Sequence, residues 1–160
     1  MIDFDREKGR VSIRGVPYLL IQPTTLLGFQ KAAEASGAAA GEWLATGGRA
    51  GGRKSSQRLR ELSAKQGREF AQDYLSMGRE IGWGVFEVTR FEGRTFEVVV
   101  AGSPFAEGYG ASSRPVCHFI RGVIAGLGDT LFGEAECEEV ECAAAGAPRC
   151  RFVCRDRIHA

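Results

Sequence analysis

The chain has 160 residues, with 21 lysines and arginines against 20 acidic residues and a formal net charge of +1. A chain of this length, with 44% hydrophobic residues, can build a core without disulfide bonds, so we expect a single domain over residues 1–160. The balanced charge predicts no direct nucleic-acid binding and no membrane partner. The apolar runs are too short for a membrane helix, and the mixed-charge N-terminus lacks a signal-peptide pattern, which predicts a cytoplasmic protein.

Strand-like runs open the chain and are followed by helix-like segments. Apolar residues first alternate with polar and turn residues and then recur at three- and four-residue spacing. The predicted elements are strands at residues 11–14 and 18–21 and helices at residues 23–36 and 38–44.

A glycine-rich segment, TGGRAGGRKSS, covers residues 46–56. Its four glycines and three cations are typical of a mobile loop. It superficially resembles a phosphate-binding loop, but Arg53 stands where that motif needs glycine before lysine. We therefore predict a solvated loop without a phosphate site.

The rest of the chain alternates strong helix and hairpin patterns. An apolar stripe predicts one long helix that starts at Ser55 or Ser56 and reaches Ile81, and a second stripe predicts a buried helix that starts near Ser112 or Ser113 and ends at Gly133. The predicted hairpins pair residues 83–91 with 95–101 and residues 134–143 with 149–155. The fold class that follows is α+β, with helices packed against an antiparallel sheet.

Five cysteines, all between Cys117 and Cys154, are the uneven feature of the composition. Their spacing contains no Cys-x-x-Cys pair, so a generic zinc finger is not predicted. If the last hairpin places Cys142 opposite Cys150, however, both thiolates come within reach of one metal ion, and Cys117 and Glu139 can supply two further ligands. Residues three apart on a regular strand point to opposite faces, so this arrangement requires a bulge near Glu141.

The alternative interpretation of these cysteines is that they are small buried apolar residues, and spacing alone does not decide between the two. Cys137 and Cys154 have no assigned role. For His118, a replacement metal ligand, a pocket donor and an exposed residue all remain open. His159 is predicted to be solvated.

Several segments between residues 103 and 152 are similar to the 4-vinyl reductase domain family of small-molecule-binding domains. The resemblance rests on SPFAEGYGASSRPVCHF, on the helix FIRGVIAGLGDTLFG and on EEVECAAAGAPRCRF. It implies the α+β ligand-binding fold of nitric oxide sensor and vesicle-tethering subunit domains, often found as a dimer. The partners implied are a small hydrophobic or aromatic ligand and a second copy of the chain.

The resemblance also implies a structural zinc ion. Sensor members of the family hold zinc with three cysteines and one glutamate, which correspond here to Cys117, Cys142, Cys150 and Glu139. Such a ligand set fills a tetrahedral shell and leaves no open position for a reacting water, so the metal would stabilise the fold and not catalyse.

An apolar pocket beside this zinc is expected to hold the ligand. The predicted lining residues are aromatic or aliphatic side chains from the central hairpin, the following loop and the cysteine-bearing helix: Trp83, Phe86, Phe105, Tyr109, Phe119 and Ile120. The sensors hold their ligand's hydroxyl with a histidine and a tryptophan that have no counterpart here, so phenol specificity does not carry over.

The sequence therefore predicts a non-catalytic domain that binds or senses a small hydrophobic or aromatic molecule. Two alternatives remain at this stage. One is an accessory factor or enzyme subunit in tetrapyrrole vinyl-group reduction, although no nicotinamide or flavin motif supplies a hydride source. The other is a protein-interaction module, as in the vesicle-tethering relatives.

Overall fold

The computed structural model describes residues 2–158 and shows an α+β fold with two antiparallel sheets, as predicted. His159 lies outside the described residues. The strands are β1 (Ile2–Asp5), β2 (Arg10–Ile13), β3 (Val16–Tyr18), β4 (Val85–Glu92), β5 (Thr95–Ala101), β6 (Ala135–Glu141) and β7 (Cys150–Asp156). The helices are α1 (Pro23–Ala35), α2 (Ala40–Leu62), α3 (Gly67–Glu80), α4 (Pro104–Tyr109) and α5 (His118–Phe132).

The larger sheet has the strand order β4-β5-β7-β6. One face is buried: Phe86, Val88, Phe96 and Phe152 are almost fully covered. The intervening residues of β4, such as Glu87, are exposed, as the period of two in a half-covered strand requires. The core therefore lies between this sheet and the helices.

Side chains of α3 cover the outer edge of β4. The Gln72 amide donates to the Phe86 carbonyl at 3.1 Å, and its oxygen accepts from the Val88 amide at 2.8 Å. Arg68 donates to the Val88 carbonyl at 2.9 Å. These bonds satisfy backbone groups that an edge strand would otherwise leave without a protein partner.

The smaller sheet, β1-β2-β3, is a meander at the N-terminus. The predicted strand at residues 18–21 is wrong beyond Tyr18, where β3 ends. Leu19, Leu20 and Ile21 follow as an irregular segment with exposed side chains.

Residues 46–56 form the middle of α2, so the predicted mobile loop is wrong. The glycines are needed because α2 crosses α5 with the two backbones in contact. A Cβ atom at Gly48 would collide with the Phe119 carbonyl, and one at Gly122 would collide with the Ala45 carbonyl. Tertiary contact overrides the low helix propensity of glycine at these positions. The close approach that the Gly122 and Gly126 spacing predicts is therefore present.

Polar bonds fix the same helix pair at its other end. Arg49 donates to both carboxylate oxygens of Asp129, at 2.8 and 2.6 Å, and Asp129 also accepts from the Ala135 amide at 2.9 Å. Ser56 and Thr130 share a hydroxyl hydrogen bond of 2.7 Å. Asp129 thus connects α2, α5 and the start of β6.

Two predicted helix boundaries are corrected. The long helix predicted from Ser55 or Ser56 to Ile81 is two helices, because α2 ends at Leu62 and α3 begins only at Gly67. The buried helix begins at His118 and not near Ser112, so Cys117 is its N-cap residue. Its predicted end at Gly133 is correct.

Among residues 2–158, no helix is long and apolar enough to cross a membrane.

Alanine substitutions at the neighbouring glycines Gly47 and Gly48 test the backbone contact between α2 and α5. A Cβ at Gly47 has no neighbour within 4 Å, so Gly47→Ala should stabilise by about 0.5–1 kcal/mol through helix propensity alone. Gly48→Ala should instead cost about 1–3 kcal/mol, because the helices must separate. Urea unfolding measures both changes, and equal stability of the two variants would contradict the contact.

Candidate metal centre and apolar cavity

A bulge in β6 brings Glu139 to the same place as Cys142. The pairing of β6 with β7 shifts between Glu139 and Glu141, which leaves Val140 as the extra residue. The bulge that the spacing of Glu139 and Cys142 requires is therefore present. A short 3₁₀ turn, Ala143–Ala145, then returns the chain toward Cys150 at the start of β7.

Cys117, Glu139, Cys142 and Cys150 form one buried cluster. Their ligand atoms all lie within 4.8 Å of one another, and the Sγ atoms of Cys117 and Cys150 are 3.7 Å apart. One Glu139 oxygen, Oε2, accepts from the Cys117 amide at 2.9 Å. The other, Oε1, is buried without a hydrogen-bond partner. Three thiols and a half-satisfied carboxylate are a donor set that can hold a metal ion.

Burial and mutual contact shift the acidity of these groups in different directions. Burial, followed by the neighbouring Cys142, raises the pKa of Glu139 to about 9. The hydrogen bond from Cys117 is the main cause that lowers the pKa of Cys142 to about 4, and contact with Cys142 and Cys150 raises the pKa of Cys117. Four acidic groups therefore share one site in which they cannot all be ionised unless a cation compensates them.

The other two cysteines and His118 lie outside the cluster. Cys137 and Cys154 are directly paired across β6 and β7 and are both buried. The half-buried His118 ring lies against α2, where a Cβ at Gly41 would approach it to 3.1 Å. Burial, followed by the Arg121 charge, lowers the pKa of His118.

An apolar cavity of about 460 Å³ lies between the N-terminal sheet and helices α2, α3, α4 and α5. Four of the predicted pocket residues, Trp83, Phe86, Phe105 and Phe119, line this cavity. The Trp83 ring packs edge-on against Phe105 and Phe119, with centroid distances of 5.9 and 5.5 Å. The structure thus brings together an aromatic wall from three separate chain segments.

Two predicted pocket residues lie elsewhere. Ile120 is fully buried in the core. The hydroxyl of Tyr109 donates to Glu34 on α1 at 2.6 Å, and Lys31 lies over its ring. Neither residue is among the described residues that line the cavity.

The N-terminal sheet and α2 form much of the cavity wall, which sequence reasoning did not anticipate. The additional lining residues include Ile13, Tyr18, Ser55, Tyr74, Met77 and Ile81. The four-residue spacing of Gly48 and Gly52, matched by Gly122 and Gly126, was the signal that could have revealed a helix pair here.

The cluster and the cavity share the segments around α4 and the start of α5. The Ser103 hydroxyl, which caps α4, lies 3.9 Å from the Cys117 sulfur. The next residues, Pro104 and Phe105, line the cavity, as does Phe119 two residues after Cys117. A displacement at the cluster would therefore move the cavity wall.

Sequence comparison matches residues 96–156 to a family model for the vinyl-4-reductase domain. This range contains all four cluster residues and most of the segments that carry the resemblance to the 4-vinyl reductase domain family. Among curated proteins, none shows a significant sequence match to the chain.

Solved structures share the fold at low sequence identity. The phenol-responsive sensory domain of the transcription activator PoxR, solved with phenol, superposes with a TM-score of 0.88 at 15% identity, covering 99% of this chain and 86% of that chain. A vinyl-4-reductase family protein from Methanocaldococcus jannaschii gives 0.57 at 17% identity over 87% and 83%. A trafficking protein particle complex subunit 3 from Naegleria fowleri, covalently bound to palmitic acid, gives 0.55 at 15% over 83% and 93%. The predicted fold class is confirmed.

Alkylation of chelator-treated protein tests the acidities described above. The thiolate is the reactive form, so Cys142, whose pKa is lowered, should react with iodoacetamide before Cys154, whose pKa burial raises. Peptide mass spectrometry at increasing reaction times gives the order. Equal rates at the two cysteines would contradict the assigned electrostatics.

Proposed function

Because residues 96–156 of this chain belong to the vinyl-4-reductase domain family, we propose that the protein binds and senses a small hydrophobic or aromatic molecule in a domain stabilised by structural zinc. The single observation that carries the proposal is the 460 Å³ apolar cavity whose wall includes the residues next to the cluster of three cysteines and one glutamate. Pockets of about 300–1,000 Å³ with mostly apolar walls are typical of small-molecule sites.

The geometry of the cluster supports zinc as the metal. Two thiolates that are each about 2.3 Å from one tetrahedral zinc ion lie about 3.8 Å apart. The Cys117 and Cys150 sulfurs are 3.7 Å apart without any bond between them. The buried, unpartnered Oε1 of Glu139 supplies the fourth ligand. Zinc would neutralise the clustered acidic groups and hold β6 and β7 against the N-terminus of α5.

The structural neighbours support the ligand-binding part of the proposal. The PoxR sensory domain was solved with phenol, and the Naegleria subunit is covalently bound to palmitic acid. None of the described residues that line the cavity in the present chain is a cysteine, so a thioester to the ligand is not part of the proposal. The ligand binds reversibly and without chemistry.

The proposal includes a homodimer in the cytoplasm. Leu19, Leu20 and Ile21 are consecutive exposed apolar residues, with Leu19 87% exposed, and Trp43 on α2 is 55% exposed. Exposed apolar side chains of this kind favour association with a second copy. A reducing compartment is consistent with five free cysteines.

Mass spectrometry of the intact protein under native and denaturing conditions tests the zinc site. The native mass should exceed the denatured mass by one zinc ion per chain. Cys142→Ala should lose this difference and melt at a lower temperature, since metal binding contributes folding free energy. Cys137→Ala, a buried cysteine outside the cluster, is the matched control and should keep the metal. Absence of zinc from the unmodified protein, or its retention by Cys142→Ala, would refute the site.

Fluorescence of Trp83 tests the cavity as the ligand site. The chain has two tryptophans, so Trp43→Phe leaves Trp83 as the single reporter in the cavity wall. A brominated aromatic probe, 4-bromophenol, should quench its emission in a saturable manner. The Trp83→Phe variant, which retains the exposed Trp43, should show only weak linear quenching. Saturable quenching of Trp43 but not of Trp83 would place the ligand elsewhere.

A further inference from the structure

Three hydroxyl side chains meet at one side of the apolar cavity. Tyr18 comes from β3, Ser55 from α2 and Tyr74 from α3, and all three line the cavity. Among the described lining residues, Ser55 and Tyr74 are the polar side chains that are buried, at 7% and 5% exposure. Buried polar groups in an otherwise apolar pocket orient a ligand and select among ligands.

The hydroxyls form a chain whose protons are directed into the protein. Ser55 donates to the Gly51 carbonyl at 2.9 Å. The Tyr74 hydroxyl lies 2.8 Å from Ser55 Oγ and 3.3 Å from the Gly52 carbonyl, so its own proton has two acceptors at hand. Tyr18 hydrogen-bonds to the Ser55 side chain as well. A hydroxyl that donates its single proton to the protein keeps lone pairs for a further donor.

The surroundings of this trio contain no buried charge. Lys54 is the single charged residue among the described lining residues, and it is exposed at the rim. Burial raises the pKa of both tyrosines, which keeps their hydroxyls protonated and neutral at pH 7. An anionic group placed against the trio would lose its hydration without gaining a buried counter-charge, which is costly.

The cavity is also larger than a single aromatic ring requires. An apolar cavity of about 150 Å³ is enough to bind benzene, and this cavity is about three times as large. A ligand that fills it has an apolar body of two or more rings, or an aliphatic body of similar volume.

We infer that Tyr18, Ser55 and Tyr74 form the specificity site of this cavity and accept a hydrogen bond from the hydroxyl group of a neutral, largely apolar ligand bigger than one benzene ring. The inference rests on the proposed ligand-binding function and adds the polar contact and the ligand class to it. An ether or hydrocarbon of the same shape leaves the trio without this donor.

Equilibrium dialysis with 2-naphthol and 2-methoxynaphthalene tests the inference, because the two probes share a ring system and only the first has a donor. The zinc-replete protein should bind 2-naphthol about tenfold more tightly, which is the value of one added hydrogen bond at the upper end of the usual range. Tyr18→Phe and Tyr74→Phe should each weaken 2-naphthol binding several-fold and change 2-methoxynaphthalene binding by less than about twofold. Tyr109→Phe removes a hydroxyl outside the cavity and should leave both affinities unchanged.

The outcomes separate this inference from the proposed function. Equal and measurable affinities for the two probes would overturn the inference and leave the proposed function intact. A preference for 2-naphthol that persists in both phenylalanine variants would also overturn it, because the preference would then come from shape. Failure of the protein to bind either probe, together with an unresponsive Trp83, would overturn the proposed function and the inference together.

Discussion

The arrangement of the whole molecule depends on one backbone contact, the crossing of α2 and α5. Small residues on both helices remove the side chains that would normally hold two helices apart, and a Cβ at Gly48 or Gly122 would strike a carbonyl of the opposite helix. Close approach brings the Arg49 and Asp129 side chains within bonding distance and buries the inner face of α5 against the sheet. It also turns another face of α2 toward the N-terminal sheet, where Ser55 and Gly52 become part of the cavity wall. Packing energy and cavity shape therefore have the same origin.

The first turn of α5 joins the two candidate sites. Cys117 is at its N-terminus in the metal-binding cluster, and Phe119 and Val123 on the following turns line the cavity. A helix is stiff along its axis, so a metal ion that fixes Cys117 also fixes the position of the aromatic wall. The zinc proposed here would therefore preorganise the cavity, and its contribution to ligand binding would come from avoided rearrangement without any direct contact.

Local patterns predicted most elements and the composition of the cluster, and they failed where long-range contact decides the structure. The stripe that includes Phe119 and Ile124 and the period of two around Phe86 and Val88 both report burial directly, and so the helix and the hairpin were predicted correctly. The four cluster residues were found because thiol and carboxylate spacing has chemical meaning and because a family resemblance placed them together. Residues 46–56 were predicted wrongly because glycine signals a turn unless a partner backbone needs the space, and the partner lies some 70 residues away. That error concealed Ser55 and, with it, the polar part of the cavity.

The Gln72 and Arg68 bonds to β4 have a consequence for how copies of this domain can meet. With these side chains bound along it, the outer edge of β4 offers few free backbone groups to an incoming strand. At the opposite edge, β6 exposes Glu136 and Glu138, which would face like charges if a second copy joined its own β6 there. Neither border of the larger sheet favours continuation into a neighbouring molecule. Self-association would thus proceed by packing of side chains from helices or from the N-terminal segment, and the protein is protected against the sheet-to-sheet growth that leads to fibrous aggregates.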